Sequence, residues 1–273
     1  MDIGNPYNIP IYINKPYYKM NATGDEIETA VGITSMAILP CTGVIVNGEN
    51  ETVTFSTTAP VGNNNHGNVQ MTLAQTVTTR GGSTAETLDK AIVSFNEGSQ
   101  LGKFYFGTQN ANLYIPQGNE EYAIVSAEAQ GEMPVNFKAR YDGQYTITVN
   151  PENVEMGYLH LIDNIAGTDI DLLANPSYTF NAKGDDYESR FRLVFSAKSD
   201  NDANLNENFA FFSNGSLIVT GEGTLQVVDM MGRVISSEVV NGTSSKAINA
   251  KAGVYVLRLV NGENVKTQKI VVR

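Results

Sequence analysis

From residue 51 to residue 197 the chain is a succession of short β-patterned segments separated by turn formers. No other feature limits its fold as strongly. The segments are ETVTFST (51–57), NVQMTLAQTVTT (68–79), KAIVSF (90–95), KFYFGT (103–108), EYAIVSAEA (121–129), PVNFKA (134–139), QYTITVN (144–150), YLHLID (158–163), SYTFNA (177–182) and RFRLVFSA (190–197). They are rich in Val, Ile, Thr, Tyr and Phe, and many alternate polar with apolar residues, the period of a strand with one buried face. Between them lie NGEN, GNNNHGN, RGGS, PQGN, YDGQ, NIAGTD and AKGDD, where Gly, Asn and Asp supply tight turns. This pattern predicts an all-β fold, an antiparallel, jelly-roll-like β-sandwich, and not alternating βαβ units. One segment, STAETLDKA (83–91), predicts a helix of a turn or two, with Ser83 as N-cap and Glu86 three residues later.

The tail repeats the theme on a smaller scale. FAFFSNGSLIVTG (209–221) predicts a hairpin around Asn214-Gly215, and TLQVVDMMGRVISSEVV (224–240) two strands joined across Met231-Gly232. AINA (247–250) predicts a short edge piece, and the chain closes on the hairpin GVYVLRLVNGENVKTQKIVVR (253–273). About seven strands in this stretch suffice for a small two-sheet sandwich. In the closing hairpin, a loop over Asn261, Gly262 and Glu263 sets Leu259 opposite Val265; a two-residue loop at Asn261-Gly262 is the alternative. Between the two parts, SAKSDNDANLNEN (196–208) is polar and loses its β alternation after the first residues, the composition of a linker. Charge marks the same boundary: residues 1–203 carry a net −13 and residues 204–273 a net +2. The predicted organisation is a β-sandwich over 1–198, a linker over 199–207 and a second domain over 208–273.

The overall charge of −11 excludes non-specific binding to nucleic acid, because no basic excess exists to displace counterions from phosphates. Anionic membrane surfaces are excluded for the same reason. The single cysteine, Cys41, rules out an internal disulfide and a cysteine-rich zinc site. No apolar run approaches the roughly 18 residues of a membrane helix. The N-terminal MDIGNPYNIPIYINKPYY lacks the basic start and unbroken apolar core of a signal peptide. The expectation is an intracellular protein or a piece of a longer chain.

Chemistry is hard to find. His66 sits in a Gly/Asn loop and His160 in YLHLID, on one face with Tyr158 and Ile162. No HxH, HExxH or Cys/His spacing is present, so nothing supports zinc, and Cys41 has no neighbouring His to activate it. Asp163, Asp169 and Asp171 lie on one Gly-containing loop and are the candidate calcium ligands, although the spacing is not that of an EF-hand and a turn between strands needs such residues anyway. Asp185, Asp186 and Glu188 form a second acidic loop. Tyr7, Tyr12, Tyr17, Tyr18, Tyr105, Tyr114 and Tyr122 could stack on sugars, but core packing explains tyrosines in strands equally well. No nucleophile elbow, P-loop or dinucleotide fingerprint occurs. The chain is expected to be no enzyme and to need no cofactor.

The ending AGVYVLRLVNGENVKTQKIVVR, preceded by LQVVDMMGRVISSEVV, resembles the C-terminal sorting domain of type IX secretion substrates of Bacteroidetes. The resemblance rests on a GxY (Gly253, Tyr255), a following LxxG (Leu259, Gly262) and a final Lys269 with Ile270, Val271 and Val272. Asp229, Gly232 and Arg233 match the DxxGR turn common in the same domains. It covers about residues 205–273 and implies a small Ig-like β-sandwich. The preceding IGNPYNIPI, LPCTGVIVNGENETVTFS, DKAIVSFNEG and YLHLIDNIAGTDIDLLANPSYTFNAKGDDYESRFRLVFS resemble the non-catalytic sandwich that often precedes this signal, after a longer N-terminal region. The resemblance therefore implies that Met1 is not the natural start.

For function it implies transport through the periplasm to the outer-membrane surface. The partners would be the translocon, its shuttle protein and a sortase-like protease that cuts in the linker, with attachment to surface lipopolysaccharide afterwards. The site residues would be Asp229, Gly232, Arg233, Gly253, Tyr255, Leu259, Gly262, Lys269 and Val271, serving presentation and not catalysis. A different class of reading is an adhesin or glycan-binding module in residues 1–198. A third is a hydrolase whose catalytic domain lies outside this chain.

Overall fold

The computed structural model describes residues 12–13, 15–21, 23, 27–30, 38, 43–46, 54–56, 67–79, 82–105, 110–198, 209–213, 215–248 and 250–272. Among them every regular element is a strand. In chain order these are β1 (Tyr12–Ile13), β2 (Tyr17–Met20), β3 (Ile27–Ala30), β4 (Val44–Val46), β5 (Phe55–Ser56), β6 (Asn68–Thr79) and β7 (Gly82–Ser94). Then follow β8 (Leu101–Gly102), β9 (Ala111–Gln117), β10 (Glu120–Ser126), β11 (Gln130–Ala139), β12 (Gly143–Glu152), β13 (Met156–Asp163) and β14 (Thr168–Asp171). The last are β15 (Ser177–Ala182), β16 (Phe191–Ala197), β17 (Ala210–Ser213), β18 (Ser216–Asp229), β19 (Val234–Ala247), β20 (Gly253–Asn261) and β21 (Asn264–Val272).

Strands β6 to β16 make one sheet in the order β14-β13-β16-β11-β9-β10-β7-β6-β12-β15, with β8 joined to β10. The sheet doubles back at β11, which pairs with β16 through Gln130–Val135 and with β9 through Asn136–Ala139. Its two halves enclose a core in which Leu73, Phe137, Tyr145, Phe180, Phe191 and Phe195 meet. Phe137 stands edge-on to Tyr145, Phe180 and Phe191, the arrangement aromatic quadrupoles favour. A third layer lies outside: Tyr18 of β2 packs on Ile92, Leu101 and Ile124. The all-β sandwich of the sequence analysis is what forms, with one parallel pairing, β7 to β10 (Ile92 opposite Ile124), among antiparallel neighbours.

Three local expectations are corrected. Residues 83–91 are not helical; they belong to β7, paired with β6 from Asn68–Ser94 to Thr79–Gly82. A helix of two turns is marginal alone, whereas β6 pairs with this segment along its whole length. Leu88 is the extra residue of a bulge between Leu73–Asp89 and Ala74–Thr87. Residues 103–105 belong to no strand; the Lys103 side chain is buried against Asp89, and its N–H donates to the Glu121 carbonyl. The expected linker, Cys41, His66 and Tyr7 lie outside the described residues.

Among the described residues the terminal unit holds five strands where about seven were expected. β18 continues through Gly221 and Gly223 with φ of +145° and +131°, so one strand bends where two were predicted. A Cβ on Gly223 would lie 2.3 Å from the Val260 carbonyl oxygen, so only glycine permits this approach. The bend divides β18: its first part pairs with β17 and its second with β20, while β19 follows it along its length. Gln268 closes the curl. Its side-chain amide takes the Ala210 N–H (2.9 Å) and donates to the Ala210 carbonyl, standing in for a strand backbone. Inside lie Phe209, Leu217, Val219, Leu225, Val227, Val240, Leu257, Leu259, Ile270 and Val272.

The closing hairpin has neither register expected. Asn261 faces Asn264 and Leu259 faces Lys266, so the loop is Gly262-Glu263. Gly262, with φ +59°, takes the first loop position of a II′-type hairpin. Burial decides the matter: this register puts Ile270 and Val272 on the inner face with Leu257 and Leu259. The preferred Leu259–Val265 pairing would have turned Ile270 and Val272 outward, since a slip of one residue inverts a strand.

Candidate functional site

The ladder of β18, β20 and β21 gathers most of the motif residues at one end of the terminal unit. Asp229 faces Tyr255, which faces Ile270; Val228 faces Val256, which faces Lys269; Val254 faces Val271. Asp229, Gly232, Arg233, Gly253, Tyr255, Lys269 and Val271 are thus within a few rungs of one another. Leu259 lies in the core, and Gly262 is at the opposite end, seven residues from Tyr255 along the strand, roughly 23 Å at strand rise.

Each residue of the DxxGR turn has a mechanical role. The Asp229 carboxylate accepts the backbone N–H groups of Met231 and Arg233, both at 2.9 Å, and the Arg233 side chain at 2.8 Å. These bonds, that from the Arg233 backbone first, hold its pKa below the usual carboxylate range. Gly232 supplies φ +82°, and its N–H returns to the Asp229 carbonyl. The turn is locked by its own residues.

The GxY has a comparable basis. The Tyr255 hydroxyl donates to the Lys251 carbonyl at 2.9 Å, and a Cβ on Gly253 would rest 3.6 Å from the Tyr255 ring. The same arrangement occurs in the larger sandwich. Tyr145 donates to the Tyr141 carbonyl at 2.7 Å, with its ring 3.6 Å from where a Gly143 Cβ would be. In both places a Gly-x-Tyr ties a strand to the loop four residues before it, a device of β-sandwich corners. The GxY is therefore part of the fold.

What remains for recognition is the outer face, where Val228, Val254 and Val256 are half-buried and Val234, Lys269 and Val271 exposed. Directly paired residues share a face. The outer face at the motif end carries Val234, Val228, Val256 and Lys269 in one row, with Val254 and Val271 in the next. Val234 is 51% and Val271 53% exposed, and Met230 and Met231 at the turn are exposed further, at 70% and 81%. A second apolar row, Val239, Thr224, Val260 and Val265, lies toward the other end. Sequence reasoning missed these valines, although VYVLRLV is apolar on both parities, the mark of a strand covered on both faces.

The outer face of the other half of β18 is occupied. Ile218 and Phe211 pack with Ile162, Val194 and Tyr158 of the larger sandwich. Ser213 donates to Glu132, which holds Arg192, and the Ser196, Thr220 and Thr243 hydroxyls form a chain. The bend at Gly221 and Gly223 thus separates a half docked on the preceding unit from a half on which none of the described residues of that unit is seen to pack.

Residues 205–273 match one family model, the secretion system C-terminal sorting domain. This is the sorting signal of type IX secretion substrates, and it directs the chain through that system to the cell surface or outside. No curated protein and no solved structure matches the chain. The sorting domain therefore has a family, and its interaction with the secretion machinery follows from it.

The other candidates are engaged within the larger sandwich. Asp163 is buried against Arg190, at 2.8 Å, and also accepts the N–H groups of Ile165 and Ala166 and the Tyr178 hydroxyl. Asp169 holds His160, which stacks on Tyr158, and Asp171 caps the Leu173 and Ala174 N–H groups. Among the described residues no group of three or more His, Cys, Asp and Glu is placed to hold a metal ion. In the second acidic loop, Asp186 accepts the Lys183 N–H and Glu188 pairs with Lys138. Tyr105 and Tyr114 donate to Glu121 and Glu188, and Tyr122 packs on the core.

Proposed function

We propose that residues 1–198 are a non-catalytic surface cargo and that the sorting domain is read on the outer face of its β19-β18-β20-β21 half. The translocon or its shuttle would engage Val234, Val228, Val256, Lys269, Val254 and Val271. Cleavage within 199–207 would then expose a new chain end on the cargo for attachment to surface lipopolysaccharide. The observation that carries the reading is the gathering of the motif residues at one end, beside an uncovered valine face on a domain whose family is a secretion signal. Exposed contiguous apolar surface of this kind marks an interaction site.

The test is surface display in a host with type IX secretion. Removing residues 205–273 should strand the chain in the periplasm; normal display without them overturns the sorting role. Val271→Asp should reduce display while the chain stays folded, and unaltered display would overturn the choice of face.

A further inference from the structure

We propose that Asp89 and Lys103 become joined by an intramolecular isopeptide bond between the Asp89 carboxyl and the Lys103 ε-amine. The Lys103 Nζ lies 2.5 Å from Asp89 Oδ1 and 2.6 Å from Oδ2, and the two side chains are 2% and 8% exposed. A charge-assisted hydrogen bond of this type ordinarily runs about 2.7–2.9 Å. Two short contacts on one carboxyl group bring the nitrogen within about 3 Å of its carbon, given C–O bonds of roughly 1.2 Å. That distance is in the near-attack range, and addition further requires the nitrogen to rise from between the two oxygens onto the face of the carboxyl group.

The surroundings suit acyl transfer. The Leu113 N–H donates to Oδ2 at 2.6 Å and the Lys90 N–H to Oδ1 at 2.9 Å, so each oxygen already has a backbone donor. Such donors stabilise the negative charge that develops on oxygen when a nucleophile adds to the carbon. The backbone around Lys103 is held on three sides. Its N–H donates to the Glu121 carbonyl, while the Tyr18 hydroxyl donates to Gly102 and accepts from the Phe104 N–H. Burial raises the pKa of Asp89 and lowers that of Lys103 against their mutual attraction. Both directions favour passing one proton from ammonium to carboxylate, which leaves a neutral amine beside a neutral acid.

The step balances without a co-reactant. The neutral Lys103 nitrogen adds to the Asp89 carboxyl carbon, forming the C–N bond and a tetrahedral centre. The C–OH bond then breaks, the hydroxyl leaves with a proton from nitrogen as one water, and a secondary amide remains. Nothing is oxidised or reduced. In a chain with a single cysteine, the product would be a covalent staple between β7 and the segment after β8 that no reductant can open.

The experiment is the intact mass of the folded full chain, with peptide mapping. The expected result is a mass about 18 Da, one water, below that of the sequence. The loss is absent in Asp89→Ala and Lys103→Ala. Trypsin fails to cut after Lys103 and releases a branched peptide containing both residues. The full sequence mass overturns the proposal, as does a loss mapped elsewhere, for example to a succinimide at Asp142-Gly143. Neither result depends on how the sorting domain is read.

Discussion

The hydroxyl groups of Ser196 and Thr220 meet at 3.1 Å, one on β16 of the larger sandwich and the other on β18 of the sorting domain. Beside them Ile218 is buried with Ile162 and Val194, and Ser213 reaches Glu132. Cutting the chain between these units would therefore not by itself part them. A protease cut within 199–207 should leave two fragments that elute together in size-exclusion chromatography. Ile218→Asp should separate them, because burying one isoleucine is worth about 1.5–3 kcal/mol, roughly a 10–100-fold change in affinity. Fragments of the parent chain that part on cutting would overturn this contact.

The bend of β18 sets a second expectation. Gly223 and Gly262 both have positive φ, at +131° and +59°, but a Cβ on Gly262 meets nothing within 4 Å. Gly262→Ala should cost only the backbone term, about 1–2 kcal/mol. Gly223→Ala adds a collision with the Val260 carbonyl, so it should lower the unfolding midpoint of the sorting domain more. Equal midpoints in urea would show that the bend relaxes without cost.

Residue alternation made the strands from Asn68 onward largely readable, because one face of each is buried. It failed where pairing decides the outcome. Thr84 to Asp89 carry mixed signals that only a partner strand resolves. The slip of the last hairpin depends on which of Ile270 and Val271 the curled sheet must cover. The pairing of Asp89 with Lys103 joins residues whose sequence neighbourhoods give no sign of it. Among the motif residues, sequence pattern marked Asp229, Gly232, Gly253 and Tyr255 as special without telling that they brace the domain. The valine face was hidden because its members look like ordinary strand residues.

Bracing and recognition can be told apart by measurement. Tyr255→Phe removes the hydrogen bond to the Lys251 carbonyl and should cost about 1 kcal/mol of stability. Tyr145→Phe should cost a similar amount in the larger sandwich. Lys269→Ala, at an exposed position, should leave stability within about 0.5 kcal/mol. Under the proposed function the order reverses for display. Lys269→Ala lowers surface display with an unchanged melting curve, whereas Tyr255→Phe lowers it only as far as the domain unfolds. A melting curve for Lys269→Ala that falls with its display would place that residue among the braces.

The buried pair of Asp163 and Arg190 makes the larger sandwich sensitive to acid. Burial alone would raise the Asp163 pKa, but the Arg190 bonds, the Ala166 N–H and the Tyr178 hydroxyl outweigh it and hold it below the usual range. A carboxylate with a depressed folded pKa contributes stability above its unfolded value, about 3.9, and loses it as pH falls through the folded value. Unfolding free energy should therefore drop below about pH 4. Asp163→Asn should flatten that drop and lower stability at neutral pH by about 3–5 kcal/mol, because Arg190 is left buried without its counter-charge. The Arg190 guanidinium also lies 4.5 Å over the Phe180 ring, so a displaced arginine would disturb the aromatic cluster of the core. Urea midpoints of both proteins from pH 7 to pH 2.5 would check this. Parallel curves would show that the acid response comes from other carboxylates.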